Sequence, residues 1–61
     1  MDTHTYHYNL VGGYPDGCTF RASIACDSIM DAFALAQGVK KVTTLRWIHV
    51  LDIQDRTLAI Y

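Results

Sequence analysis

Several features that assign small proteins to familiar classes are missing from this sequence. Its two cysteines, Cys18 and Cys26, are too few for a disulfide framework. On one extended run they would lie about 26 Å apart, beyond the reach of a disulfide bond. No stretch approaches the roughly 20 apolar residues of a membrane-spanning helix, and the start MDTHTYHYN lacks the basic and apolar regions of a signal peptide. We therefore expect reduced thiols, no contact with a membrane and a cytoplasmic location.

The sequence also has little net charge. Five Lys and Arg residues face six Asp and Glu residues, which gives a formal net charge of −1. This balance provides no basic field for a phosphate backbone and is too weakly acidic for a mimic of nucleic acid. The net charge therefore disfavours nucleic acid as a partner and does not indicate any other kind of partner.

What the chain has in abundance is apolar side chains, which make up 51% of its 61 residues. A chain of this length buries only about 60% of its unfolded surface, so some of these side chains must face outward. We expect a single domain over residues 1–61 that gains stability from a partner or from dimerisation.

Residues 27–38, DSIMDAFALAQG, form the clearest helix pattern in the sequence. Ser28 and Asp31 have the spacing of a capping box, and Gly38 suits the left-handed conformation that ends many helices, with two lysines following it. Apolar residues recur at three- and four-residue spacing, which predicts one stripe packed against a sheet. The predicted stripe consists of Ile29, Ala32, Phe33 and Ala36.

Two alternating runs precede this helix, as expected for a hairpin of half-buried strands. The first covers residues 3–11 and the second covers residues 18–25, with the turn-forming residues GGYPDG at 12–17 between them. The faces predicted to point at the helix carry Tyr6, Tyr8 and Leu10 on the first strand and Cys18, Phe20, Ala22 and Ile24 on the second.

A second hairpin is predicted after the helix. Residues 42–53 are rich in β-branched and aromatic side chains, residues 52–57 favour a turn with Arg56 left-handed, and residues 57–61 form a short last strand. Both sides of the third strand carry large apolar groups, so it is either central with a bulge or covered by another chain. We expect Arg46, Ile48 and Val50 on the side away from Leu45 and Trp47.

Together these elements predict an α+β fold, in which one antiparallel sheet of four strands, in the sequence order β-β-α-β-β, carries one helix on one face. The uncovered face is predicted to expose His7, Asn9, Thr19, Arg21 and Ser23, with Ile48 and Val50 among them. A polar field that carries a few aliphatic residues is typical of a docking surface. The predicted partner-binding residues are Tyr14, Arg21, Arg46, Ile48 and Val50. For Tyr14, at the tip of the first turn, a contact across the hairpin is the alternative.

This organisation resembles that of small proteins carried by phages and mobile elements, of which anti-CRISPR inhibitors are the best understood group. The likeness covers nearly the whole chain, through TYHYNL, TFRASIA, SIMDAFALAQG and WIHVLDIQDRTLAIY, but it lies in size and element order, with no specific motif. The resemblance implies a non-catalytic inhibitor in the cytoplasm of a host cell that blocks a surface of a host defence complex.

Candidate catalytic and metal-binding chemistry is sparse. His4 and His7 have a spacing found in metal sites, with Cys18 as a third candidate, but zinc usually takes four ligands, and residues three apart on a strand lie on opposite faces. A nucleophile formed by Cys18 or Cys26 with His7 or His49 needs an electropositive, partly open setting, whereas Cys18 is predicted to be an inert core thiol. We expect no metal, no cofactor and no enzymatic activity.

Two further functions stay open at this point. Trp47 and the tyrosines would provide a stacking platform for single-stranded nucleic acid, although Tyr6 and Tyr8 are predicted to lie under the helix. A structural or regulatory homodimer would instead pair through a sheet edge or through the face that carries Ile48 and Val50.

Overall fold

The computed structural model describes residues 5–61 and folds them into one antiparallel sheet and one helix. The elements are β1 (Tyr6–Gly13), β2 (Thr19–Cys26), α1 (Ile29–Thr43), β3 (Trp47–Leu51) and β4 (Thr57–Ile60). The strand order in the sheet is β2-β1-β3-β4, and each pair of neighbours is antiparallel. The predicted α+β fold and its β-β-α-β-β order are confirmed, while residues 3 and 4 of the predicted first strand lie outside the described residues.

Strand β1 is central and continues through two residues that the sequence places in the turn. Gly12 and Gly13 pair with β2 on one side and with β3 on the other. A Cβ at Gly12 would overlap the ring of Phe20, and one at Gly13 would overlap the indole of Trp47. These glycines are needed for close approach of aromatic rings rather than for a turn. The turn itself is closed by the Tyr14 N–H, which donates to the carbonyl of Cys18 at 2.8 Å.

Helix α1 begins where the sequence predicts. The Ser28 side chain caps it by accepting from the Asp31 N–H at 3.3 Å. The predicted end at Gly38 is wrong, because the helix passes through Gly38 and ends at Thr43, with the left-handed Thr44, whose φ is 54°, as its C-cap. After Gly38, Val39 still packs against the core, so this contact outweighs the local preference of glycine.

The core lies between α1 and the sheet. Ala32 and Ala36 are fully buried and bring the helix close to Ile48 and Val50, which are also fully buried. The prediction that Ile48 and Val50 lie on the open face is therefore wrong. Because the helix extends to Thr43, β3 starts only at residue 47, and its pairing with β1 turns Ile48 and Val50 toward α1.

Two residues predicted to lie on the helix-facing side are exposed. Cys18 precedes β2 and belongs to the turn, where its N–H donates to Asp16 Oδ1 at 2.9 Å, so the prediction of a core thiol is wrong. Tyr6, at the start of β1, is about half exposed, whereas Tyr8 packs against the core as predicted. The helix thus covers the sheet from Tyr8 onward.

The last strand pairs within the chain. The Ile48 N–H donates to the carbonyl of Tyr61 at 3.0 Å, and the Tyr61 N–H donates back at 2.9 Å. The left-handed residue of the β3–β4 turn is Asp55, with φ of 63°, so the prediction of Arg56 is wrong. Aspartate tolerates this conformation better than arginine does, and Arg56 is held instead by Asp52. Across residues 5–61, no helix has both the length and the apolar character that a membrane span requires.

Candidate protein-binding surface

The face of the sheet away from α1 is the open face. Strand alternation and register place on it His7, Asn9 and Val11 of β1, Thr19, Arg21 and Ser23 of β2, Trp47, His49 and Leu51 of β3, and Ile60 of β4. The polar residues predicted for this face are there. They gather over β2 and β1, and the apolar and aromatic residues gather over β3 and β4, so the open face has two unlike halves.

A chain of hydrogen bonds organises the polar half. Ser23 Oγ donates to Asn9 Oδ1 at 3.0 Å, and Asn9 Nδ2 donates to Asp55 Oδ1 at 3.3 Å. Arg21 Nη2 also donates to Asp55 Oδ1 in an ion pair that crosses from the edge strand β2 to the β3–β4 turn. This polar network connects β1, β2 and the β3–β4 turn, and it positions the turn over the sheet.

The apolar half lies next to this network. Leu51 is 9% exposed although it belongs to the open face, where it lies opposite Asn9 in the pairing of β1 and β3. The rings of Trp47 and His49 have centroids 4.7 Å apart, and Ile60, which is 64% exposed, lies opposite His49. We call Trp47, His49 and Ile60 the open-face patch. It is a mainly aromatic surface with an accessible aliphatic side chain at its β4 side.

The β3–β4 turn beside the patch is stabilised by an ionised carboxylate. Asp52 Oδ1 accepts from the N–H groups of Arg56 and Gln54, each at 2.9 Å, and Asp52 Oδ2 accepts from Arg56 Nε at 2.8 Å. The backbone hydrogen bond from Arg56 is the largest cause that lowers the pKa of Asp52, and the side-chain and charge interactions with Arg56 and the Gln54 N–H add to it. Partial desolvation opposes these effects. The turn therefore favours Asp52 in its charged form.

The five residues predicted to bind a partner lie in different surroundings. Arg21 belongs to the polar network, and Arg46 is exposed, with its N–H donating to the carbonyl of Gly13 at 2.8 Å. Tyr14 is half-buried against the core, and its ring lies 5.8 Å from that of Phe20, which is the predicted alternative of a contact across the hairpin. Ile48 and Val50 are inaccessible beneath α1, as described above.

The open-face patch was missed by sequence reasoning. Trp47 and His49 alternate with Ile48 and Val50, so the sequence shows that these two pairs lie on opposite faces of the strand. It does not say which set faces the helix, because both are apolar. The correct signal is the register with β1, in which Gly13 lies opposite Trp47 and accommodates its indole.

The two thiols occupy different settings. Cys18 is exposed and Cys26 is half-buried, and both are free. Burial raises the pKa of the Cys26 thiol, and the charges of Asp31 and Asp27 raise it further. A raised pKa lowers the thiolate population at neutral pH, which disfavours Cys26 as a nucleophile.

Within the described range, 5–61, no three His, Cys, Asp or Glu side chains come together in a way that would hold a metal ion. His4 lies outside that range, so the expectation that His4, His7 and Cys18 form no metal site stays a prediction.

Comparison of the chain with protein-family models, with curated proteins and with solved structures found no match.

Proposed function

We propose that this chain is a small non-catalytic module that binds a larger protein through the open face of its sheet. The observation that carries the proposal is the open-face patch, where Ile60 is 64% exposed beside the paired rings of Trp47 and His49. Protein interfaces combine an apolar, aromatic centre with a polar rim, and their strongest contacts come from a few such side chains. The polar network supplies the rim on the β2 side of the patch.

The geometry of the rim supports recognition of a charged partner. Arg21 and Asp55 are both about half exposed while paired with each other, so their remaining donors and acceptors face solvent. Arg side chains are enriched in interfaces because the guanidinium presents five donors in a fixed plane. We place the contact centre at Ile60 and a directional contact at Arg21.

The proposal extends to the identity of the partner and its location. On the resemblance to phage and mobile-element inhibitors of the anti-CRISPR kind, the partner is a host defence complex in the cytoplasm, and binding blocks one of its surfaces. This extension is supported by size and element order, and it requires a partner much larger than the chain.

The test is co-purification with variants matched in residue type and exposure. Tagged wild type, Ile60→Asp on the open face and Val42→Asp on the outer side of α1 are purified from a lysate of the source cell, and the eluted assemblies are measured by light scattering. Both positions are exposed aliphatic residues, so both variants should fold. We expect a stoichiometric partner with wild type and Val42→Asp and its loss with Ile60→Asp.

A second measurement uses the purified partner. Arg21→Ala is expected to weaken binding by roughly tenfold in a calorimetric titration, as for loss of one charge-assisted contact. The proposal fails if no stoichiometric partner elutes with the wild type, or if Ile60→Asp retains the partner as well as Val42→Asp does. A nuclease-sensitive, salt-sensitive complex would instead favour the nucleic-acid alternative.

A further inference from the structure

Strand β2 forms one edge of the sheet, since β1 is its only neighbouring strand within residues 5–61. The Tyr14 N–H donates to the carbonyl of Cys18 in the register that continues along β1 and β2, so the backbone of Cys18 faces β1. In an antiparallel ladder, every second residue points its N–H and C=O groups the other way. The backbone groups that point out from the edge therefore belong to Thr19, Arg21, Ser23 and Ala25. They offer a row of donors and acceptors to another strand.

This edge lacks the usual protection against pairing. Edge strands are commonly blocked by bulges, by proline or by charged side chains. Strand β2 has no proline and runs in unbroken register with β1, and its one charged side chain, that of Arg21, is paired with Asp55. Asp55 also accepts from Asn9 on β1, so the ion pair draws the guanidinium inward over the sheet and away from the edge.

The sequence around β2 is nearly symmetric about Ala22. In CTFRASIAC, residues 18–26, a cysteine stands at each end, and the large apolar residues Phe20 and Ile24 lie two positions before and after Ala22. A two-fold axis normal to the sheet at Ala22 would pair two copies of β2 antiparallel, each residue lying opposite the one equally far beyond Ala22 in the other copy. Because the two positions of each pair differ by an even number of residues, their side chains lie on the same face of the joined sheet.

On the helix side, this pairing joins apolar residues. Phe20 would lie opposite Ile24 of the other copy, and Ala22 would lie opposite its own equivalent. Phe20 and Ile24 are half-buried and already pack against the core of their own copy. Pairs of an aromatic and a β-branched side chain stabilise antiparallel strands. The contact would therefore continue the core of one copy into that of the other.

The two cysteines would gain partners that the single chain does not provide. Within one chain, Cys18 precedes β2 and Cys26 ends it, and both thiols are free. Across the two-fold axis, Cys18 would lie opposite Cys26 of the other copy in a pair without hydrogen bonds, where the Cα atoms are about 4.5 Å apart. This separation falls within the range of about 4.4–6.8 Å that a disulfide bond requires.

Neighbouring positions of the axis fit less well. An axis at Arg21 would place two arginines directly opposite each other, and like charges in that position destabilise a strand pair. An axis at Ser23 would move Cys18 beyond the strand of the other copy. The axis at Ala22 pairs the whole strand and separates the two arginines.

We infer that the β2 edge is an interface between two copies of this chain, which pair antiparallel about a two-fold axis at Ala22 into one continuous sheet. Each of the four outward-facing residues would donate one N–H and accept at one C=O, which gives about eight backbone hydrogen bonds. The open faces of both copies lie on the same side of the joined sheet, so the dimer leaves the open-face patch accessible. The inference is independent of the proposed function.

The size of the interface sets the strength of the dimer. Residues 18–26 extend over about 30 Å, and an edge contact of that length buries on the order of 500 Å² per copy. Stable interfaces bury about 800 Å² per copy. We therefore expect a reversible dimer with a dissociation constant on the order of 100 µM.

Disulfide exchange tests the pairing of the thiols. The untagged full chain is incubated at 200 µM with glutathione disulfide at pH 8.5, because burial raises the pKa of the Cys26 thiol. The Cys18 thiolate attacks glutathione disulfide and releases one glutathione, and the Cys26 thiolate of the other copy displaces the second, while the two thiol protons pass to the released glutathiones. We expect a covalent dimer of twice 6.9 kDa, in which mass spectrometry finds Cys18 linked to Cys26.

A mixing experiment separates this pairing from chance collision of thiols. Cys18→Ser keeps only Cys26, and Cys26→Ser keeps only Cys18, so neither variant alone can form the expected link. An equimolar mixture restores one link in each mixed dimer and should form covalent dimer at least tenfold faster than either variant alone. Circular dichroism verifies that both variants fold.

Sedimentation equilibrium under reducing conditions, from 10 µM to 1 mM, tests the backbone ladder. Wild type is expected to pass from monomer to dimer over this range. Ala25→Pro removes an outward N–H that makes no hydrogen bond to β1, and it should raise the dissociation constant at least tenfold. Ile60→Pro is the matched control at the β4 edge, where the Ile60 N–H points outward because that of Tyr61 donates to Ile48. It should leave the dimer unchanged.

Three results would overturn the inference. They are a wild type that is monomeric at 1 mM, a mixture that cross-links no faster than the single cysteine variants, and a folded Ala25→Pro that dimerises as well as Ile60→Pro does. If Ala25→Pro does not fold, the mixing experiment decides alone. None of these results decides the proposed function, which is tested by Ile60→Asp against the larger partner.

Discussion

The two faces of the sheet use the same kinds of side chain in opposite ways. On the covered face, Ile48 and Val50 are sealed beneath the helix, and two alanines of α1 make that close contact possible. On the open face, Ile60 remains accessible beside a ring pair and a hydrogen-bonded network. An aliphatic residue on a strand is therefore buried or exposed according to where the helix lies, and its own chemistry does not decide which.

The largest expected effect on stability comes from a comparison of two isoleucines, one on each face of the sheet. Ile48→Ala is expected to lower the free energy of unfolding by about 3 kcal/mol, because it removes a fully buried side chain and leaves a cavity. Ile60→Ala should cost less than about 1 kcal/mol, since that side chain is already mostly hydrated. Urea unfolding at 10 µM protein measures both values. Equal losses would mean that the two faces are not distinguished by burial.

A second comparison uses two glycines. Gly12→Ala should lower the free energy of unfolding by about 2 kcal/mol, because the new methyl group overlaps the Phe20 ring and comes within 2.9 Å of Leu45 Cδ1. Gly38→Ala is expected to raise it by about 1 kcal/mol, since Gly38 lies inside the helix with open space around it. Thermal unfolding of both variants decides this, and a destabilising Gly38→Ala would contradict the helix boundary described above.

The polar network of the open face should contribute much less. Arg21→Ala is expected to lower the free energy of unfolding by about 0.5 kcal/mol, because its ion pair with Asp55 is exposed on both sides. Most of that loss should disappear in 1 M NaCl. Arg46→Ala is the control, since no ion pair involves Arg46 within residues 5–61. A loss that is large and independent of salt would show that the network supports the fold as strongly as the core does.

The smallest effect is expected at the β3–β4 turn and depends on pH. Because the folded pKa of Asp52 is lowered, its stabilisation is complete above the unfolded pKa of about 3.9 and is lost as the pH falls through the folded value. Wild type should therefore exceed Asp52→Asn in stability at pH 7, and the difference should shrink below pH 4. Urea unfolding at pH 7, 4 and 3 measures it. A difference that is constant with pH would exclude the charge of Asp52 as its origin.

Local signals in the sequence predict much of this fold. The alternation of Tyr8, Leu10 and Phe20, the Ser28 cap and the turn around Gly17 all depend on neighbouring residues, and each is found where expected. The assignments of Arg56 and Cys18 fail within turns, and the larger failures concern contacts between distant segments. The helix continues past Gly38, where Val39 packs against the core, and that contact cannot be seen from neighbouring residues alone.

The candidate surface depends on the same kind of long-range contact. Residues 46–51 carry apolar groups on both sides, so their alternation separates two sets without saying which is covered. Only the pairing of Gly13 with Trp47, in which the glycine makes room for the indole, assigns the patch to the open face. A shift of one residue in the pairing register of β3 with β1 would reverse every assignment on that strand.

The two edges of the sheet differ in how readily they would accept another strand. The β4 edge has four residues and an irregular register near Leu51, which disturbs the row of backbone groups that it presents. The β2 edge has eight residues in unbroken register with β1, and Arg21 is its only charged side chain. Long regular edges with few charges are templates for strand addition. The two edges are therefore unequal, and β2 accepts an added strand more readily than β4 does. Self-association into larger aggregates at high concentration would begin at β2. Added charge on that strand would oppose it.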